Sequence, residues 1–217
     1  MTAFKPEKCP NLIPQERIVV RSNASAGELQ YYAGQSNILF DVSDVQDLSI
    51  LPPLIAGGVY STQNGNINLQ GLERCHTIAL PFAQSVTAPR LSSVLLLYAG
   101  AAEEVSLPFL TQAIKIIARA AVRFTADELK FLELLRLKRV ETLSFPNLCA
   151  IKVLHAENLR TLAVSNSAEI SNFSPESFPL LKKIELIAPP PPPRPPPPPA
   201  EQPGPRRLVR VPRPKPD

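Results

Sequence analysis

Apolar positions along this chain recur in a register of 19 residues. The unit is apolar–x–x–apolar–x–apolar. It reads Val45/Leu48/Ile50, Asn64/Ile67/Leu69, Ala83/Val86/Ala88, Ala102/Val105/Leu107, Ala121/Phe124/Ala126, Val140/Leu143/Phe145 and Leu159/Leu162/Val164. Ala26/Leu29/Tyr31 extends it backwards without a gap, and Leu181/Ile184/Leu186 continues it after a step of 22. A fixed period near twenty residues predicts a solenoid, whose turns cannot bury their apolar side alone and must stack. Solenoids more often present binding surfaces than catalytic sites, so the first functional expectation is an interaction protein.

Rows of 19 residues starting at Gln70, Pro89, Pro108, Asp127 and Pro146 align further apolar columns. One is Leu72, Leu91, Leu110, Leu129, Leu148; the next is Cys75, Val94, Ala113, Leu132, Ile151. A third is Ile78, Leu97, Ile116, Leu135, Leu154, and a fourth Leu80, Ala99, Ala118, Leu137, Ala156. With the triplet this makes seven apolar columns per turn. One buried Leu or Ile contributes about 1.5–3 kcal/mol, so neighbouring turns that cover these columns would stabilise the stack. The last two triplet positions alternate as a short strand does, and stacked turns would pair these strands into one parallel sheet. The rest of each turn is expected to be an extended or short helical return. Asp127 to Arg139 is the best helix candidate: Asp127 and Glu128 open it, and Arg136, Lys138 and Arg139 close it, which suits the helix macrodipole.

The segments Val140-Glu141-Thr142-Leu143-Ser144-Phe145 and Leu159-Arg160-Thr161-Leu162-Ala163-Val164 resemble the strand part, LxxLxL, of a leucine-rich repeat. The resemblance covers about Ala26 to Ile187 and implies a right-handed leucine-rich-repeat-like coil of the irregular, bacterial style. It departs from the family at one column. The family's buried Asn, which bonds backbone across turns, is replaced by the leucines at 72, 91, 110, 129 and 148, and the period is slightly short. A parallel β-helix is the competing solenoid.

Composition divides the chain. Of 26 prolines, 15 lie in residues 189–217, a segment that carries net charge +4. The whole chain is also +4, so residues 1–188 sum to zero and lack the basic excess of a nucleic-acid-binding body. The expected organisation is an N-terminal cap over 1–25, a solenoid over 26–188, and a proline-rich, basic, disordered tail over 189–217.

In each strand the residue between the last two apolar positions points outward. Down the stack these are Ser49, Asn68, Thr87, Ser106, Thr125 and Ser144, then Ala163. Such a ladder of small polar side chains is a candidate protein-binding face. It also suits a crowded parallel sheet whose hydroxyls bond one another. Arg123 and Arg160 flank it where the outward positions turn basic, after an acidic step at Glu103 and Glu104. That polarity would orient a partner, or would be a solvated face of uneven charge.

In the tail, five prolines, Arg194 and five more prolines predict a polyproline II rod projecting about 30 Å. Pro189, Pro192 and Arg194 fit the Pro-x-x-Pro-x-basic form of SH3 ligands, and such runs also suit WW, EVH1 and profilin-type grooves. A stiff spacer is the other reading. The basic end, Arg206-Arg207-Leu208-Val209-Arg210, carries enough charge only for weak, salt-sensitive contact with acidic lipid or nucleic acid.

Little else points to chemistry. No Gly-rich phosphate loop occurs, since Gly57-Gly58 has no following Lys-Ser or Lys-Thr. Three cysteines without a Cys-x-x-Cys and two histidines offer no metal pattern, so neither cofactor nor metal is expected. Adjacent Cys75 and His76 would face opposite ways in a strand and make a poor dyad. The first twenty residues show no secretory signal, and no apolar run reaches the ~20 residues of a membrane helix. The expected setting is cytoplasmic, or exported without a recognisable N-terminal signal. The overall expectation is a non-enzymatic adaptor, with the solenoid face on one protein and the tail on a second, as in a bacterial host-directed effector. A structural or self-assembling solenoid with a spacer tail is the alternative.

Overall fold

The computed structural model describes residues 16–21, 26–171 and 178–188. They form a parallel β-solenoid with two strands per turn. One side carries a nine-stranded sheet. Its strands, in spatial order, are Glu16–Val19 (β1), Ile38–Asp41 (β2), Leu54–Tyr60 (β3), Arg74–Ala79 (β5), Ser93–Tyr98 (β7), Gln112–Ala118 (β9), Phe131–Leu137 (β11), Ala150–Ala156 (β13) and Glu169–Ile170 (β15). The opposite side carries shorter strands in two groups. Asn66–Asn68 (β4), Ser85–Thr87 (β6), Glu104–Ser106 (β8) and Arg123–Thr125 (β10) form the first; Thr142–Phe145 (β12), Thr161–Ser165 (β14) and Lys183–Ile187 (β16) form the second.

The 19-residue register becomes the pairing register. Cys75 pairs with Val94, Val94 with Ala113, Ala113 with Leu132 and Leu132 with Ile151. Every residue of the seven columns from Leu72 to Val164 is buried. The coil is therefore filled by side chains, and each turn's apolar surface is covered by the turns before and after it.

The half of the turn expected as a return is thus the larger sheet, and the triplet strands form the smaller side. Asp127 to Arg139 is not a helix: it contains β11, with Leu132, Leu135 and Leu137 inward and Glu133 outward. Strands β9 and β13 offer ladder partners on both its edges, and that pairing overrides a charge pattern suited to a helix. The larger strands also slip their pleat once. Pairing omits His76, Leu95, Ile114, Glu133 and Lys152, so two consecutive residues separate the inward positions, as Leu95 and Leu96 separate Val94 and Leu97.

The ends depart from the repeat. Ala26/Leu29/Tyr31 lies in an α-helix, Ala26–Ala33 (α1), rather than in a strand. Leu29 and Ala33, one helical turn apart, are buried, whereas Tyr31 is 77% exposed. The next triplet ends in a 3-10 turn, Leu48–Ile50, capped by Asp47, whose carboxylate accepts the Ser49 amide at 2.9 Å. Strand β1 is tied to the coil by Arg17, whose Nε donates to the buried Asp41 carboxylate at 2.8 Å. Burial raises the Asp41 carboxyl, but hydrogen bonds from Ser43 and Arg17 outweigh it and hold the pKa below the ordinary Asp value. At the other end Ile184 and Leu186 of β16 pair with Leu162 and Val164 of the core columns, yet are 50% and 70% exposed.

Candidate interaction surfaces

The structure brings Asn68, Thr87, Ser106 and Thr125 into one row across β4, β6, β8 and β10. Thr87 and Ser106 are half-buried and the other two exposed. Thr125 Oγ1 donates to Ser106 Oγ at 3.3 Å, and two positions earlier along the strands Ser85 Oγ donates to Asn66 Oδ1 at 2.8 Å. Ser49 sits in the 3-10 turn, where it shares a polar groove of about 140 Å³ with Asn68, Gln46 and Gln63. Ser144 lies across a break, paired with Ala163 of β14 rather than with Thr125.

At the break Phe124 and Phe145 fill adjacent turns with ring centroids 6.2 Å apart, edge to face, where other turns hold aliphatic side chains. A recess of about 440 Å³ opens beside it, lined by Val122, Arg123, Thr125, Asp127 and Ser144.

Arg123 and Arg160 are both held in ion pairs with the acid one turn earlier. Arg123 meets Glu104 at 2.9 Å and Arg160 meets Glu141 at 3.6 Å, each 19 residues back. The hydrogen bond from Arg123, reinforced by its charge, holds Glu104 below the ordinary carboxylate range. Both pairs are solvent-exposed, where such bridges contribute little stability.

The outer face of the larger sheet is different, and sequence reasoning did not single it out. Leu95, Ile114 and Phe131 are 41%, 44% and 54% exposed. They share a groove of about 410 Å³ with Ser93, Gln112 and Glu133. The half-buried Leu96, Leu134 and Val153 lie along the same strands, and a Lys152–Glu133 ion pair stands at the groove's edge. The available signal was apolar residues at 95 and 114, outside all seven inward columns; it had been assigned to a return segment.

Cys75 points inward and His76 outward, so they form no dyad. Burial pushes the Cys75 thiol up to about 12 despite hydrogen bonds to backbone. In the native protein Cys75 is therefore expected to resist a thiol reagent at pH 8 that labels exposed Cys149, and to react only on unfolding. Peptide mapping of the labelled protein checks this, and native labelling of Cys75 at the rate of Cys149 would contradict its burial. Among the described residues no cluster of His, Cys, Asp and Glu is placed to hold a metal ion. No described helix is long and apolar enough to cross a membrane. Pro189, Pro192 and Arg194 lie outside the described residues.

Fold and surface together define a parallel β-solenoid of 19-residue turns. The chain matches no protein-family model, no curated protein and no solved structure.

Proposed function

We propose that this protein is a non-enzymatic interaction module whose solenoid holds one protein and whose proline-rich tail docks a second. The observation that carries the first half is the contiguous apolar groove at Leu95, Ile114 and Phe131 on the larger sheet. Exposed apolar patches rimmed by polar side chains mark protein contacts more often than solvated faces do. The polar row through Asn68, Thr87, Ser106 and Thr125 supplies donors and acceptors on the opposite side. The tail half rests on the Pro-x-x-Pro-x-basic spacing alone.

Kinship with leucine-rich repeats belongs to the same proposal. It is supported by the two LxxLxL segments falling on β12 and β14. Gln63 Nε2 donates across one turn to the carbonyls of Val42 at 3.1 Å and Ser43 at 3.2 Å, a bond of the kind that family's asparagine makes, though from a different column and in one turn.

The test compares proteins captured by the full chain, by residues 1–188, and by the double variant Leu95→Glu/Ile114→Glu. Partners lost only in the double variant are expected for the groove, and SH3, WW, EVH1 or profilin-type domains lost only on truncation for the tail. Unchanged capture by both altered proteins overturns the proposal. A self-assembling solenoid is the second reading, favoured by the exposed Ile184 and Leu186 on the last turn. Concentration-dependent light scattering of the full chain that disappears in Leu186→Glu would select it.

A further inference from the structure

Four ion pairs in this coil join a basic side chain to an acid one turn away in the same column. Glu104–Arg123, Glu133–Lys152, Lys138–Glu157 and Glu141–Arg160 are all 19 residues apart. At the carboxyl ends of β9, β11 and β13 this neutralisation is incomplete: Lys138 pairs with Glu157, but Arg119 and Arg136 stand beside them without an acid of their own among the described residues. Arg119, Lys138 and Glu157 each follow the last residue of their strand and stand in neighbouring turns. Arg136 and His155, paired in register, lie two residues before Lys138 and Glu157. The intervening Leu137 and Ala156 point into the core, so these flanking positions share the outer face.

The result is a small grid of cations around a cleft of about 340 Å³, lined by Arg119, Arg136, Lys138, His155 and Glu157. Glu157 is its one carboxylate, and it is engaged with Lys138 at 3.1 Å. Among the described residues neither Arg119 nor Arg136 has an ion-pair partner. Two arginines and a lysine against one glutamate leave a local charge of +2, although residues 1–188 sum to zero. Unrelieved like charges on adjacent strands are unfavourable, and an anion seated among them removes the penalty.

We propose that this cleft is a phosphate-monoester site. A monoester carries about −1.5 to −2 charges at neutral pH, which matches the local excess; a carboxylate or a phosphodiester would match half of it. Two guanidinium groups present paired N–H donors to phosphate oxygens, and the His155 ring adds another donor at the rim. Lys138 remains with Glu157 and fixes the far wall.

The experiment is calorimetric titration of the full chain with phenyl phosphate, inorganic phosphate and dimethyl phosphate, with flotation on phosphatidic-acid vesicles as a second arm. Saturable one-site binding of the first two is expected, about tenfold weaker in Arg136→Gln and in Arg119→Gln, and unchanged in Arg74→Gln, an exposed arginine elsewhere on the sheet. Vesicle capture lost in the Arg119→Gln/Arg136→Gln double variant identifies a lipid headgroup as the source; phenyl phosphate binding without such capture identifies a soluble monoester. No saturable binding, equal binding of dimethyl phosphate, or equal loss in Arg74→Gln overturns the assignment. Both arginines are solvent-accessible, and unchanged melts of the variants separate lost binding from lost folding.

Discussion

Leu143→Asp is expected to abolish the cooperative thermal melt. Leu143 is fully buried in β12, in register with Leu162 of β14 and in the same core column as Phe124. Truncating a core leucine already costs about 2–5 kcal/mol. A carboxylate there adds the cost of an unpaired buried charge, or of the proton needed to neutralise it. The sum approaches the ~5–15 kcal/mol that stabilises a whole domain. In a stacked coil the loss spreads, because each turn is held by its neighbours. The adjacent Ser144→Asp is the control. Ser144 is exposed, so that change is expected to shift stability by no more than about 0.5 kcal/mol. Circular dichroism melts of both variants check the pair of outcomes. A wild-type melt for Leu143→Asp would show that the column does not face the core.

The inward columns were legible because a stack with one fixed offset converts burial into periodicity, and all seven columns from Leu72 to Val164 are buried. The identity of the elements was less legible. On the larger sheet the inward residues run Leu129, Leu132, Leu135, Leu137, at steps of three, three and two. Steps of three mimic a helical stripe; here the step from Leu132 to Leu135 arises from the slipped pleat at Glu133, and the step from Leu129 leads from the preceding turn into β11. Sequence spacing does not separate a slipped strand from a short helix; the ladder bonds to β9 and β13 do. The same ambiguity hid α1, because Ala26/Leu29/Tyr31 satisfies the strand register while Leu29/Ala33 satisfies the helical one.

The surfaces were read with uneven success for a related reason. Once the triplet was taken as the only strand, its outward residues became the natural face, and the polar row from Asn68 to Thr125 does line up in the structure. Arg123 and Arg160 mark where the outward positions turn basic in sequence, and in the structure each is paired with an acid 19 residues back. The same-column rule that locates the core also predicts those pairs. The apolar groove and the cationic grid both sit on the sheet that was taken for a return, so outward positions there were never assembled into a surface.

Gly57→Ala is expected to detach the N-terminal strands from the coil. In sequence, Gly57-Gly58 registers only as a failed phosphate loop. In the structure, the pairing of β3 with β5 shifts by one residue between Ile55 and Gly58, and Gly57 occupies the shift. A Cβ there would lie 1.9 Å from the Ile38 carbonyl oxygen and 3.0 Å from that of Gln35. Both obstacles are backbone, so no rotamer change relieves them, and β2 must move off β3. Over-packing a core with movable side chains costs about 1–3 kcal/mol, and a fixed carbonyl places this change at or above the upper end. The loss would fall on the bonds that close this end, Val20 N to Asp41 O at 2.8 Å and Val42 N to Tyr60 O at 2.9 Å. Amide exchange should therefore accelerate in β1 and β2 while β9 to β13 stay protected. Gly34→Ala is the comparison, since nothing lies within 4 Å of its Cβ position. Equal protection of β2 in the Gly57→Ala and Gly34→Ala chains would mean that the backbones do not approach so closely. The glycine would then mark only a bulge, not the contact that starts the stack.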